Sequence, residues 1–190
     1  ALNVRDMFGS FFESFHHALF QVASIITTTG FATVDFNYWP AFSKSLLVLL
    51  MFIGACAGST GGGIKCSRVV LMAKSVKKEM QYLIHPRVVR VHKMDGHRVQ
   101  HEVMRSVNAF LIAYLLIFVV SVLLVSLTCE DMVTSFTAVA TALNNVGPAA
   151  NFSFLHPLSK IVLMFDMLAG RLELFPMLLL FTPRTWFRKL

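Results

Sequence analysis

Two short runs, Thr28-Thr29-Gly30 and Asn145-Val146-Gly147, each close an apolar stretch that makes a poor bilayer span. Their side chains form no nucleophile with a base, no paired carboxylates and no metal cage. What they offer is backbone. Glycine admits conformations that a side chain forbids, so successive carbonyls can be aimed at a dehydrated cation and stand in for its hydration shell. A short helix ending just before such a turn adds roughly half a negative charge from its carbonyl end. Irregular backbone is tolerated at membrane depth only where it is buried in protein or lines a cavity. The run from Ser24 to Phe31 is therefore expected to line an ion pathway.

The surrounding composition demands a membrane. Of 190 residues, 56% are hydrophobic and 14% charged, and the mean hydropathy is +0.66. The net charge of +7 does not point to nucleic acid, because the basic residues bracket the apolar spans instead of lying among stacking residues. Ten Lys or Arg against three acids between Lys65 and Arg105 read as a cytoplasmic segment. Cys56, Cys66 and Cys129 have neither paired nor metal-ligand spacing and are assigned to packing; no transition metal and no organic cofactor is expected.

The elements that must hold the turns follow in order. Phe8 to Ile26 predicts a helix that enters the membrane and stops, because His16, His17 and Gln21 interrupt it. Tyr38 and Trp39 suit the membrane interface, and Pro40 suits the first turn of the next helix. Ser45 to Ala57 is strongly apolar but runs into Gly58-Ser59-Thr60-Gly61-Gly62-Gly63, so this second helix is expected to break there. Gly58 and Gly63 have the spacing of a phosphate-binding loop, yet Ile64 stands where its lysine belongs. Lys65 should snorkel to the cytoplasmic boundary. Val69 to Ile84 reads as an amphipathic helix, and Val88 to Val99 as a hairpin around Asp95-Gly96. His97 and His101 are four apart but lack a third metal ligand, which leaves them a solvated surface. Ser106 to Leu127 is long enough to span, Met132 to Leu143 is not, and Leu158 to Phe181 predicts a last span.

An internal repeat ties the two turns together. Glu13 to Gly30 and Glu130 to Gly147 are both 17 positions, an offset of 117 that also relates Pro40 to Pro157. Lys44 to Gly54 and Lys160 to Gly170 are both 10, at an offset of 116. Each copy is a short re-entrant helix, a glycine-bearing turn and a spanning helix. Ser106 to Leu127 precedes the second copy, whereas the first would need its span upstream of Ala1, so the chain is expected to be part of a longer polypeptide.

Thr27-Thr28-Thr29-Gly30-Phe31, Gly58 to Lys65, Asn144 to Pro148 and Gly170 to Phe175 occur in an order that resembles the Trk/Ktr/HKT superfamily of potassium transporters, closest to the bacterial TrkH type. The resemblance implies an all-α integral membrane protein with repeated span, pore helix, filter loop and span units, as in K⁺ channels. Residues 1–84 would be the third pore unit without its first span, 85–105 a basic cytoplasmic connector, and 106–190 the fourth unit. Thr28, Thr29, Gly30, Asn145, Val146 and Gly147 would supply filter carbonyls for K⁺. Gly58, Ser59, Thr60, Gly61, Gly62 and Gly63 would form a gating loop, and Arg171 a barrier in the pathway. At the repeat offset Arg171 falls on Ala55 (171 − 116), beside the broken segment. Asp166 and Glu173, five back and two on, lack the helical spacing of an ion-pair partner for it. In this sequence Ala149-Ala150-Asn151 follows Pro148, where the family pattern carries a longer glycine-rich run.

The resemblance also implies a homodimer in the bilayer, a TrkA-type cytoplasmic nucleotide-binding partner, and a multi-pass place in a bacterial inner membrane, with no covalent chemistry. It leaves channel-like and proton-coupled (symport) flux both open. The residues alone also fit a secondary transporter of a small solute, in which Arg171 and Asp166 would contact substrate, or a non-conducting truncated scaffold.

Overall fold

The computed structural model describes residues 1–54, 56, 58–59, 61–84, 93–94, 97–98, 101–129, 131–147, 152, 155–172 and 174–180. The predicted Asp95-Gly96 turn, Thr60, Pro148, Ala149 to Asn151 and Glu173 lie outside them. Helix α1 spans Phe11–Ile26 and α5 spans Met132–Leu143. Their 16 and 12 residues fall short of the roughly 20 that a helix needs to cross a hydrocarbon core. Ser10 caps α1 by accepting from the Phe12 amide, which starts the helix three residues later than the apolar run suggests.

Asp131 caps α5, taking the Thr134 hydroxyl at 2.7 Å and the Val133 and Thr134 amides at 3.3 and 3.2 Å. The Thr134 hydroxyl, then the Val133 amide, hold this exposed carboxyl below the usual aspartate range. A carboxyl lowered in the folded state contributes stability that is present above its unfolded pKa and is lost as pH falls through the lowered value. Thermal unfolding should therefore lose stability on acidification below about pH 4, and Asp131→Asn, which caps without titrating, should remove that part of the acid limb. An identical pH profile in the variant would show that the cap carries none of it.

Helix α2 (Ala41–Phe52) breaks, but it ends at Phe52, ahead of the glycine run at Gly58 where the break was expected. Strand β1 (Ile53–Gly54) leaves it, a glycine-rich loop follows, and β2 (Ile64–Lys65) leads into α3 (Cys66–Ile84). The two strands pair in parallel, Ile53 with Ile64 and Gly54 with Lys65, so the loop is closed at its neck. Strands β3 (Lys93–Met94) and β4 (His97–Arg98) pair antiparallel as the hairpin predicts.

Helix α4 (His101–Ser126) contains the span, the one helix among the described residues long and apolar enough to cross a membrane. The last apolar stretch carries α6 (Pro157–Leu172) and α7 (Leu174–Leu180). Polar rungs tie α4 and the turn that ends it to their neighbours every seven residues. The Thr128 and Ser159 hydroxyls pair, Ser121 donates to Asp166 at 2.7 Å, and Tyr114 donates to Asn144 at 2.7 Å.

The core surrounds α5. Seven of its twelve residues are buried, mostly Ala, Ser and Thr, small enough for α2, α4 and α6 to approach closely. A second cluster joins Val4, Ile25, Trp39, Leu47 and Met51 to Val146. Trp39 is thus 5% exposed, packed inside the protein with Leu47 and Met51, while Tyr38 in the short 3-10 turn Phe36–Tyr38 stays 77% exposed.

Candidate functional site: two carbonyl turns and a glycine loop

The two turns are built alike, hydrogen bond for hydrogen bond. After α1, the Thr28 amide reaches Ile25 O at 3.1 Å and the Thr29 amide reaches Ser24 O at 2.9 Å. After α5, Asn145 reaches Ala142 O at 3.1 Å and Val146 reaches Thr141 O at 3.2 Å, each 117 positions on. This is the double bond pattern that ends a helix on a left-handed residue, usually glycine. Here the left-handed residues are Thr28 at φ +53° and Asn145 at φ +52°. Asparagine tolerates this region; for β-branched threonine it is an outlier costing about 1–2 kcal/mol, strain of the kind that gathers at functional sites.

Two residues on, Gly30 (φ +82°) and Gly147 (φ +104°) are left-handed again, with Thr29 and Val146 ordinary between them. An extended strand turns successive carbonyls to opposite sides; alternating the sign of φ turns them to the same side. The carbonyl oxygens of Thr28, Thr29, Gly30, Asn145, Val146 and Gly147 accept no hydrogen bond among the described residues. The chain beyond the first turn is held by α1's buried polar residues, with Ser24 donating to Phe31 O at 2.6 Å and Gln21 to Val34 O at 2.8 Å.

The turns also touch. A Cβ on Gly30 would stand 2.6 Å from Val146 O, and one on Gly147 would stand 2.8 Å from the Gly30 Cα. Val146 sends its side chain into the core shared by Ile25 and Met51. What the two turns can do together is present unpaired backbone oxygens at the carbonyl ends of two short helices, a cation site without a carboxylate.

The glycine loop lies directly against this arrangement. A Cβ on Gly62 would meet Asn144 O at 2.2 Å, and one on Gly54 would meet Gly62 O at 2.1 Å. Gly58 and Gly63 have φ of +82° and +77°. The loop residues Ser59, Gly61 and Gly63 and, across from them, Gly170 and Arg171 line one cavity of about 210 Å³. Lys65 and Arg68 line it too, and the Arg68 guanidinium stands 4.0 Å from the centre of the Phe110 ring. Lys65 does not snorkel: it is 8% exposed, and its ammonium donates back to the Ser59 carbonyl. It is turned inward, where the Ser59 carbonyl takes the place of solvent. Asp166 faces α4 and is fully buried with its second oxygen unpaired, so it is no partner for Arg171.

The structure therefore brings both turns, the described loop residues and Arg171 together. Sequence reasoning missed the inward Lys65 and the Tyr114–Asn144 contact. The seven-residue spacing of Tyr114, Ser121 and, just past the helix end, Thr128 was a signal that α4 has a polar stripe.

Residues 9–188 match the TrkH family, described as cation transport proteins. The chain is 40% identical over 187 residues to the Trk system potassium uptake protein TrkH of Escherichia coli K12, covering 96% of this chain and 39% of that protein. It is 36% identical over 190 residues to TrkG of the same organism, covering 97% and 38%. The crystal structure of the potassium transporter TrkH from Vibrio parahaemolyticus matches with a TM-score of 0.86 at 42% identity, over 97% of this chain and 41% of that one. The chain thus spans about two fifths of the length of these relatives, and it shares their helical membrane-transporter fold. With nearly all its residues inside the match, the chain belongs to the TrkH family of cation transport proteins.

Proposed function

We propose that this chain forms two walls of a potassium pathway through the membrane, as part of the pore-forming subunit of a Trk-type K⁺ uptake system. One observation carries the reading: two turns 117 residues apart repeat the same left, right, left backbone and meet through Gly30 and Gly147. Thr28, Thr29 and Gly30 and Asn145, Val146 and Gly147 are the filter carbonyls that replace water around K⁺. Residues 1–84 belong to the third unit, 85–105 to a basic cytoplasmic connector and 106–190 to the fourth. The loop from Gly58 to Gly63 is the gate and Arg171 the charge that guards it.

No bond is made or broken in this process. The Trk system in the relatives' names supports an assembly of more than one component; a TrkA-type cytoplasmic nucleotide-binding partner, a homodimer and a bacterial inner membrane are the finer proposal that the resemblance implies. The solute-transporter reading loses support, because Asp166 turns to Ser121 and away from the cavity that Arg171 lines.

The test is growth of a K⁺-uptake-deficient bacterium at limiting K⁺ with the full-length parent, with and without Gly30→Ser. Wild type should restore growth and the variant should not, at equal membrane abundance. Growth indifferent to Gly30 would defeat the filter assignment, and growth restored by an organic solute would favour the transporter.

A further inference from the structure

Asn144 closes α5 immediately before the left-handed Asn145, and it is fully buried. Its carboxamide is engaged at both ends. Nδ2 donates to Ala140 O at 2.7 Å and Oδ1 accepts from the Tyr114 hydroxyl at 2.7 Å. The glycine loop lies on the same residue: the Cβ position of Gly63 is 3.2 Å from Asn144 Oδ1, and that of Gly62 is 2.2 Å from Asn144 O. Tyr114, 3% exposed, packs its ring on Phe110 and on Phe52, the last residue of α2 before the interrupted segment. One residue therefore touches the span, the filter helix and the loop.

The repeat supplies an internal comparison. Position 144 corresponds to Thr27 (144 − 117), and the two amides make the same bond, to Ala140 O and Ala23 O at 3.2 and 3.0 Å. Thr27, however, is exposed and keeps its hydroxyl at home, 2.7 Å from Ala23 O and 2.7 Å from the Thr29 hydroxyl. The two turns thus share their backbone bonds and differ in the side chain at this position, and at Asn144 that side chain connects the turn to the loop.

Resting on the filter and gate reading above, we infer that Tyr114 and Asn144 are positioning residues joining the intramembrane loop to the fourth unit's filter turn, so that loop position sets ion discrimination there. Tyr114 orients the carboxamide, and the carboxamide and its backbone carbonyl form the seat of Gly62 and Gly63. A coupling of this kind is reciprocal: if the loop acts on the filter, ion occupancy of the filter must act on the loop.

The test uses the full-length parent in proteoliposomes, with Tyr114→Phe, which removes one hydroxyl and keeps the ring, and Asn144→Thr, which installs the third unit's residue. The K⁺/Na⁺ flux ratio should fall roughly three- to tenfold in each, the scale of one buried hydrogen bond, and no further in the double variant. A second readout is alkylation of the exposed loop residue Cys56, followed by peptide mass spectrometry. Its rate should differ between K⁺ and Na⁺ media in the wild type and lose that difference in Tyr114→Phe. Flux reduced only in proportion to protein abundance, with ratio and labelling contrast intact, would mean ordinary packing and overturn the joint. An unchanged ratio beside a Gly147→Ala variant that destroys flux would overturn the joint and keep the filter. Full flux and selectivity in Gly147→Ala as well would remove the filter reading and the joint with it.

Discussion

Replacing Gly30 by alanine is expected to cut K⁺ uptake by the full-length transporter at least about tenfold at unchanged membrane abundance, and Gly147→Ala to do the same. Two costs combine at Gly30. Its φ of +82° is one that an L side chain rarely adopts. That strain costs about 1–2 kcal/mol. The new Cβ would also stand 2.6 Å from the Val146 carbonyl oxygen. This second cost cannot be relieved by a rotamer, because the obstacle is backbone. One turn must retreat from the other, and displacing a carbonyl wall by even a fraction of a bond length removes ligands from a dehydrated ion. Gly58 has the same φ of +82° with no atom within 4 Å of where its Cβ would stand, so alanine there adds strain in the proposed gate loop without pushing the two turns apart, and a smaller loss is expected. Gly9, ahead of α1 and also in open space, is the neutral comparison. Tracer Rb⁺ uptake in vesicles ranks the four variants. Equal losses at Gly30 and Gly58 would show that strain and not the meeting of the turns matters.

What the sequence disclosed was whatever repeats or breaks locally. The offset of 117 recovers the same three backbone bonds after α1 and α5, since a helix end is decided by a handful of consecutive residues. The glycine run announced the break after Phe52 for the same reason. Contacts made across the chain were not legible. Val146 packs into the neighbouring unit's core, Trp39 turns inward and Lys65 bonds back to Ser59, each decided by a partner whose place depends on the whole fold. Polarity on α4 and at its end was visible at Tyr114, Ser121 and Thr128, but their partners lie 30, 45 and 31 residues away.

Arg171→Ala should raise basal K⁺ flux by roughly ten- to a hundredfold, and Arg171→Lys should retain most of the barrier. On the proposed reading this residue stands where its charge would act on the pathway. Its neighbour Gly170 lies so close to the end of α5 that a Cβ would stand 1.9 Å from Leu143 O, and Arg171 lines the cavity shared with Ser59, Gly61 and Gly63. Two like unit charges about 6 Å apart at an effective dielectric of about 20 repel by about 3 kcal/mol, close to a hundredfold in passage. Lys65 and Arg68 border the same cavity and keep part of the repulsion when Arg171 is gone, which sets the lower end of the range. Lysine preserves the charge but not the planar fork of donors, so its barrier should be somewhat leakier than arginine's. Arg171→Gln, similar in length and uncharged, separates charge from bulk: it should follow alanine if repulsion is the mechanism and arginine if the side chain merely plugs the cavity. Unchanged uptake in the alanine variant, at matched abundance, would remove Arg171 from the pathway and leave the glycine loop as the only barrier beneath the carbonyl turns.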